Sequence, residues 1–475
     1  MNPPIAIADA TQQSPKTRWA LASLALSMLL SSLGTSIANV GLPTLAQAFD
    51  ATFQQVQWVV IAYLLAITTL IVSAGRLGDI LGRRRLLLGG IALFTLASVF
   101  CGLAPSLGGL IAARALQGLG AAIMLALSMA LVGETVSKAK TGSAMGLLGT
   151  MSAIGTALGP SLGGVLISGF GWRSMFLISV PLGLAAWLFA RRYLPADRSP
   201  TNPIPCGFDW LGTLLLALSL AAYALAMTLG RGPFGFLNCS LLSAAVVGIG
   251  LFVFHQSTAA APLLRLSLFR DRLLSASLAM NVSVAAVMMA TLVVGPFYLA
   301  YALGLNQAVV GMALAVGPVV AALAGVPAGR MADRLGARRM ILAGLAAMAL
   351  GCIALSAVPL TFGIGGYVAP MIILTLGYAL FQSANNTAVM ADVALDQRGV
   401  IAALLNLSRN LGLITGASAL AAAFAFAAHT VDISSAHPDA IAQGMRFTFA
   451  VALGLIAMAL IIGLANQRPE NRRDI

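Results

Sequence analysis

Gly75-Arg76-Leu77-Gly78-Asp79-Ile80-Leu81-Gly82-Arg83-Arg84-Arg85 returns far down the chain as Gly329-Arg330-Met331-Ala332-Asp333-Arg334-Leu335-Gly336-Ala337-Arg338-Arg339. Gly75 and Gly329, Asp79 and Asp333, Gly82 and Gly336, and the terminal arginine pair fall in register. Each copy is a short polar turn held between two long apolar runs. A repeat of this kind divides the chain into two related halves, and the residues around it say what the halves are made of.

Around both copies the composition is that of a membrane protein. The 475 residues are 59% hydrophobic and 9% charged, where a soluble domain carries about 25% charged residues. A helix needs about 20 mainly apolar residues to cross the hydrocarbon layer. Fourteen segments qualify, at roughly 19–41, 56–75, 86–105, 108–131, 143–168, 174–193, 210–230, 236–255, 273–302, 308–328, 340–359, 364–389, 399–426 and 446–466. Lys and Arg test this count, because short cytoplasmic loops are enriched in them. With both termini in the cytoplasm, all but five of the 27 Lys and Arg fall on the cytoplasmic side. The exceptions are Arg173, Arg231 and Arg446 in opposite loops, and Arg114 and Arg409 within spans. A wrong count would scramble that alternation. The net charge of +13 is thus a topological signal, and no nucleic-acid partner is implied.

The organisation expected is a tail over 1–18, a six-helix bundle over 19–193, and a linker with two additional spans over 194–272. A second six-helix bundle follows over 273–466, then a tail over 467–475. The first apolar run is too long for a signal-peptide core and reads as an uncleaved helix. Cys101, Cys206, Cys239 and Cys352 lack metal or redox spacing and read as small hydrophobes. Duplicated bundles with a substrate site between them are a known transporter plan.

The loop repeat resembles the signature of the major facilitator superfamily. Leu110-Ile111-Ala112-Ala113-Arg114-Ala115-Leu116-Gln117-Gly118-Leu119-Gly120 is similar to that family's fourth-helix motif. Gly155-Thr156-Ala157-Leu158-Gly159-Pro160-Ser161-Leu162-Gly163-Gly164 matches its fifth-helix antiporter motif. The fourteen-span layout resembles the drug:proton antiporter group, whose extra pair sits between the bundles. The resemblance covers essentially the whole chain and implies an all-α carrier that exports drugs or small metabolites against protons. It departs at Gly34, in Leu33-Gly34-Thr35-Ser36, where the group's first helix usually carries an aspartate. A carrier lacking that carboxylate couples protons elsewhere or not at all.

The residues themselves point to a gate, a seam and a cavity. Asp79 and Asp333 can cap a helix and pair with Arg83, Arg84 or Arg338, forming a charge latch with Gly75, Gly82, Gly329 and Gly336; plain positive-inside anchoring is the alternative. Gly155, Gly159 and Gly163 line one helix face, and Pro160 kinks it beside Gly164. Ser32, Thr35, Ser36 and Asn39 form a polar stripe on the first span. Arg114, Gln117 and Gly118 share a face of the fourth, Gln382, Asn385 and Asn386 one of the twelfth, and Asn406, Arg409 and Asn410 one of the thirteenth. Lipid cannot satisfy these groups, so they face inward; for the amides, interhelical bonding and substrate contact both remain open. Arg409 lies about ten residues into its span, or ~15 Å deep, whereas Arg114 is near enough to an outer end to snorkel.

All fourteen carboxylates lie outside the spans or at their ends. A lipophilic cation would find no counter-charge at mid-membrane, so a neutral or anionic substrate is expected; any proton coupling falls to Asp79, Glu134 or Asp392. No HExxH, nucleophile elbow or paired intramembrane carboxylate is present, which argues against an enzyme. No cofactor or metal site is implied. The expected partners are a small-molecule substrate, protons by resemblance, and membrane lipid, in a multi-pass protein of the bacterial inner membrane. The sequence carries no reading of the oligomeric state.

Overall fold

The computed structural model describes residues 15–136, 141–197, 209–229, 235–259, 262–263, 266–390, 398–428 and 436–466. Regular structure among them is helical throughout, and fourteen helices are long and apolar enough to cross a membrane. They are α1 (Pro15–Val40), α2 (Phe53–Leu81), α3 (Arg83–Leu103), α4 (Leu107–Thr135), α5 (Thr141–Phe170), α6 (Ser174–Tyr193) and α7 (Trp210–Thr228). The rest are α8 (Phe236–Thr258), α9 (Arg272–Phe297), α10 (Gln307–Leu335), α11 (Ala337–Ala357), α12 (Gly363–Met390), α13 (Arg398–Thr415) and α14 (Pro438–Ala465). Both α9 and α13 continue through one π turn, at Tyr298–Ala302 and Gly416–Leu420. An even number of crossings leaves the first and last helices opening and closing on the same face, here termed the terminal side; the opposite face is the far side.

Helix starts follow local chemistry. Thr52 and Gln55 form a capping box on α2, and the side chains of Ser106, Asp271 and Asn306 accept backbone N–H bonds at the starts of α4, α9 and α10. The repeated loop is sharper still. One residue separates α2 from α3, Gly82 at φ 95°, and one separates α10 from α11, Gly336 at φ 87°. A Cβ is strained at such angles, so glycine is a backbone requirement at both places.

Within a bilayer, small residues let helices pack closely where the hydrophobic effect offers no drive. The two halves repeat this device. A Cβ on Gly120 of α4 would meet the Phe94 nitrogen at 2.7 Å, and one on Gly344 of α11 would meet the Phe381 nitrogen at 2.6 Å. α3–α4 and α11–α12 are therefore equivalent backbone contacts, related as the loops are. Gly412 and Gly416 press α13 against the backbone of α9 in the same way.

The halves meet along two lines. On one, α5 packs on α10, and a Cβ on Gly164 would meet the Gln307 carbonyl at 2.6 Å and Gly311 Cα at 3.0 Å. On the other, α2 packs on α13. At the far end Phe53 stacks edge-on to Phe297 at 4.6 Å and tilts against Phe424 at 5.3 Å. Beside them Gln47 donates to the Tyr301 hydroxyl at 3.1 Å, and Tyr301 donates to the Pro43 carbonyl at 3.2 Å. The far side of the seam is closed by these contacts.

The inserted pair joins this arrangement at the second line. Trp58 Nε1 of α2 donates to Thr228 Oγ1 of α7 at 3.0 Å, and Ser73 and Thr213 share a hydroxyl bond of 3.0 Å. α8 packs on α7 from outside and leaves Phe236, Val246 and Phe254 exposed, as expected of a face turned to lipid. Asp209 caps α7 through the Gly212 N–H at 2.8 Å and receives hydrogen bonds from His255 and Gln256 of α8, each at 2.8 Å.

Candidate functional site

In the first half the polar residues converge on Arg114. Its side chain is fully buried. Nε donates to the Val59 carbonyl at 2.9 Å, Nη2 to the Gly34 carbonyl at 2.9 Å, and Nη1 to Gln117 Oε1 at 2.5 Å. The guanidinium lies 4.0 Å from the centre of the Tyr63 ring, and Gln117 passes the chain of bonds to Ser98 of α3 at 2.7 Å. A buried charge is tolerable only when its donors are used, and here three acceptors and a π face share one cation. Arg114 does not snorkel outward, because its fork is drawn inward by carbonyls of α1 and α2. It ties α1, α2, α3 and α4 together.

Gly34 explains how that fits. A Cβ there would stand 2.7 Å from the Tyr63 hydroxyl, which itself donates to the Ser31 carbonyl at 2.7 Å. The volume a first-helix side chain would fill belongs to the phenol. The rest of the α1 stripe faces mainly α5: Ser32 bonds Ser152 at 2.6 Å and Ser36 donates to the Gly155 carbonyl at 3.3 Å. Thr35 donates to the Ser31 carbonyl at 3.1 Å, and buried Asn39 donates to Thr35 and Ser36 carbonyls, which leaves its Oδ1 without a partner. Cβ atoms on Gly155, Gly159 and Gly163 would collide with Leu29, Ser36 and Val40 of α1. Those three glycines share the α1 face, while Gly164 and the Pro160 carbonyl turn to α10.

The second half is different in kind. Asn385 of α12 is fully buried, with neither atom of its amide group partnered. One helical turn away, Gln382 makes a long 3.5 Å contact with Asn386 and leaves its Oε1 unpartnered. On α13, Asn406 is exposed and Arg409 and Asn410 are half-buried. Arg409 has neither an ion-pair nor a hydrogen-bond partner among the described residues. α13 is held to α9 by Asn281, which donates to the Leu405 carbonyl at 3.0 Å and to Ser408 at 2.8 Å.

At the terminal side the first loop copy forms a charge cluster. Arg83 bonds Asp79 at 2.8 Å and Glu134 at 2.7 Å. Asp79 does not cap α3. That role falls to Asp197, beyond α6, which accepts the Arg84 N–H at 2.7 Å and the Arg85 N–H at 3.1 Å, while the Arg84 side chain donates to the Arg191 carbonyl. Each exposed pair is worth about 0–1 kcal/mol, so the cluster positions α2, α3, α4 and α6 more than it stabilises them. In the second copy Gly329 and Gly336 are described, but the Asp333 side chain is outside the described set, as are Lys138, Lys140 and Asp392; Arg338 is engaged. Among the described residues, an added Cβ on Gly75 would meet nothing within 4 Å, and one on Gly329 would meet Ser383 Oγ at 3.5 Å.

The match to known proteins follows this geometry. The family model of the Major Facilitator Superfamily matches residues 24–417. The chain belongs to the major facilitator superfamily. Among curated relatives, the "Uncharacterized transporter YebQ" of Escherichia coli is 32% identical over 86% of this chain and 89% of its own. The "Drug efflux pump JefA" of Mycobacterium tuberculosis is 32% identical over 91% of this chain and 86% of its own. The "Riboflavin transporter RibZ" of Clostridioides difficile is 28% identical over 94% and 97%. Among solved structures, a bacterial homologue of the human lysosomal transporter Spinster, in an inward-facing and unoccupied conformation, superposes with a TM-score of 0.68. It covers 96% of this chain and 97% of its own at 15% identity. The E. coli xylose transporter XylE, in a partially occluded inward-open conformation, gives 0.66 at 12% identity, over 97% and 100% of the two chains. At those identities the structures speak for the fold alone. The protein is a multi-pass membrane transporter, not an enzyme.

As a major facilitator, the molecule uses several residues that motif reading passes over. Tyr63, Asp197, Phe53, Phe297, Phe424 and Tyr301 each hold a key contact described above. Their partners are carbonyls, backbone N–H groups or rings from distant helices, and none leaves a spacing in the sequence. An apolar cleft of about 560 Å³, lined by residues including Val358, Phe362 and Pro370, opens at the far ends of α11 and α12. Its lining carries no charged side chain.

Proposed function

We propose that this transporter exports small organic molecules by alternating access, and that its cavity favours neutral or anionic substrates. The first six helices (19–193) and the last six (273–466) rock against each other, with 194–272 carrying the inserted pair. The terminal side is read as cytoplasmic from its excess of Lys and Arg, in the inner membrane of a bacterium, so the conformation described has its outer end shut. Export is the direction suggested by the fifth-helix motif and by relatives named for drug efflux. The observation that carries the substrate reading is Arg409, a half-buried cation without a partner among the described residues, on a face shared with Asn406 and Asn410, in the half that also holds the unpartnered amide groups of Gln382 and Asn385. A cation in low dielectric attracts an anion and repels another cation. Arg114 and Gln117 hold the first bundle together, with Thr35 and Asn39 on the α1 stripe beside them. Asp79, Arg83 and Arg84 form the cytoplasmic gate, with Asp333 and Arg338 in the second copy. Protons are the counter-ion implied by the family resemblance.

The test is uptake into energised inside-out vesicles of ethidium as a cation, riboflavin as a neutral compound and fluorescein as an anion, with and without a proton uncoupler. Fluorescein or riboflavin uptake that Arg409→Ala cuts at least tenfold supports the reading. Uptake confined to ethidium, and untouched by Arg409→Ala, overturns it. A second reading, a carrier without proton coupling, is favoured by the described carboxylates, which all sit at or beyond helix ends. Uptake insensitive to the uncoupler would establish that one.

A further inference from the structure

The hydrogen bonds between α2 and α7 have a register that fixes how the inserted pair moves. Trp58 lies fifteen residues before Ser73 on α2, and Thr228 lies fifteen residues after Thr213 on α7. The two helices run antiparallel and in step over ~22 Å at 1.5 Å per residue, bonded near both ends. Such a pair cannot slide or tilt without breaking one bond or the other. The contact of α7 with the second half is of another sort. Leu216 and Leu220 pack in a cluster with Leu274 and Leu278 of α9 and Leu404 and Leu405 of α13. Tyr223 adds a single polar anchor, its hydroxyl beside Thr415 and Ser418 at one level of the helix. A mainly apolar contact with one polar anchor can be remade at a new position at lower cost than two hydrogen bonds held ~22 Å apart in register.

We infer that α7 travels with the first bundle as a rider clamped to α2, covers the α2–α13 line from the lipid, and slips along α13 when the bundles rock. This rests on the alternating-access reading above. On that line the inserted pair is a moving seal rather than a passive linker.

Three exposed positions on the terminal side form a triangle that tests it: Ile80 of α2, Leu211 of α7 and Leu273 of α9. Spin labels are placed pairwise at Ile80→Cys, Leu211→Cys and Leu273→Cys in the full chain freed of its four cysteines. Distances are measured by pulsed electron resonance in Gly164→Val and Gly75→Val backgrounds, once far-side labelling of Thr35→Cys has shown that the two variants shift the conformation in opposite directions. The expected result is an unchanged Ile80–Leu211 distribution, with the Leu211–Leu273 and Ile80–Leu273 distances shifting by more than its width. Adding Thr213→Val and Thr228→Val should then broaden the Ile80–Leu211 distribution. A shifted Ile80–Leu211 distance beside a constant Leu211–Leu273 distance would assign α7 to the second bundle and overturn the inference. If Ile80–Leu273 itself does not change, the bundles do not rock, and that constant pair identifies the alternating-access reading as the failure.

Discussion

Arg114 holds four helices through acceptors that are mostly backbone. Removing it takes the second hydrogen bond from the Gly34 and Val59 carbonyls, which keep their intrahelical N–H partners. It also leaves Gln117 Oε1 only the Cys101 thiol at 4.0 Å, a buried acceptor whose loss of partner costs about 1–3 kcal/mol. Arg114→Ala should therefore lower the thermal midpoint of the detergent-purified protein sharply. Arg114→Lys should not restore it, since a single ammonium cannot reach three acceptors fixed by a planar fork; a lysine variant as stable as the parent would refute that account. Gly34 and Tyr63 are coupled beside it. Gly34→Ala sets a methyl 2.7 Å from the Tyr63 hydroxyl, an overpacking worth about 1–3 kcal/mol. Tyr63→Phe removes that oxygen, so the cost of Gly34→Ala should shrink in the Tyr63→Phe background. Equal costs in both backgrounds, read from a double-mutant melting series, would mean the phenol is not what excludes the side chain. Gly34 is visible in the sequence as a departure from the pattern of the antiporter group that the sequence resembles. Its reason is not, because the crowding atom belongs to another helix.

At the scale of the elements, the repeated loop shows how far sequence reaches. Gly82 and Gly336 stand out as a pair because both occupy a left-handed turn, a demand of the local backbone that any copy must meet. What surrounds them diverges. A Cβ on Gly82 would meet the Asp197 carboxylate at 2.6 Å, whereas one on Gly336 would meet none of the described residues within 4 Å. Gly82→Ala should cost the backbone strain of about 1–2 kcal/mol plus the displacement of Asp197 from the α3 N-terminus; Gly336→Ala should cost the strain alone. Melting curves showing the two variants equally destabilised would contradict this. Asp197 could not be picked out beforehand, since a carboxylate in a Pro-rich connection is ordinary until its helix is placed. The same limit hid the docking of the inserted pair: fourteen spans are countable from hydropathy, but their neighbours are not. Asp209 joins that pair at one end. Burial opposes its ionisation, yet hydrogen bonds from the Gly212 N–H, Gln256 and His255 outweigh it and hold the carboxyl below its usual value. With the folded value depressed, the stabilisation is complete above the unfolded carboxyl value of about 3.9 and is lost as pH falls through the folded one. Acid below about pH 4 should thus loosen α7 from α8, with faster hydrogen exchange at the start of α7. Asp209→Asn should show the fast exchange at neutral pH and no further acid step there.

For the whole molecule, the glycines used in this conformation and those idle in it point in opposite directions. Gly164 lies against the Gln307 carbonyl and Gly311 where α5 meets α10, so any side chain there wedges the far end. Gly75 has open space around it among the described residues, so a side chain costs little here, and on the proposed motion its smallness is used when the terminal side closes. A substitution acts on a two-state carrier only through its different cost in the two states. Gly164→Val should consequently populate the conformation open at the far side, and Gly75→Val should trap the one described here. An overpacking penalty of about 1–3 kcal/mol converts to roughly 5–150-fold in the ratio of states. Thr35, half-buried on the inner stripe of α1, serves as the reporter: Thr35→Cys would be alkylated by a membrane-impermeant maleimide supplied from the far side. Its labelling rate should rise about tenfold with Gly164→Val and fall with Gly75→Val, while transport slows in both. Two variants that shift labelling in the same direction would break the link between the loop repeat and closure of the terminal side. Opposite shifts would tie the two motifs, one in each seam of the molecule, to opposite ends of one rocking motion.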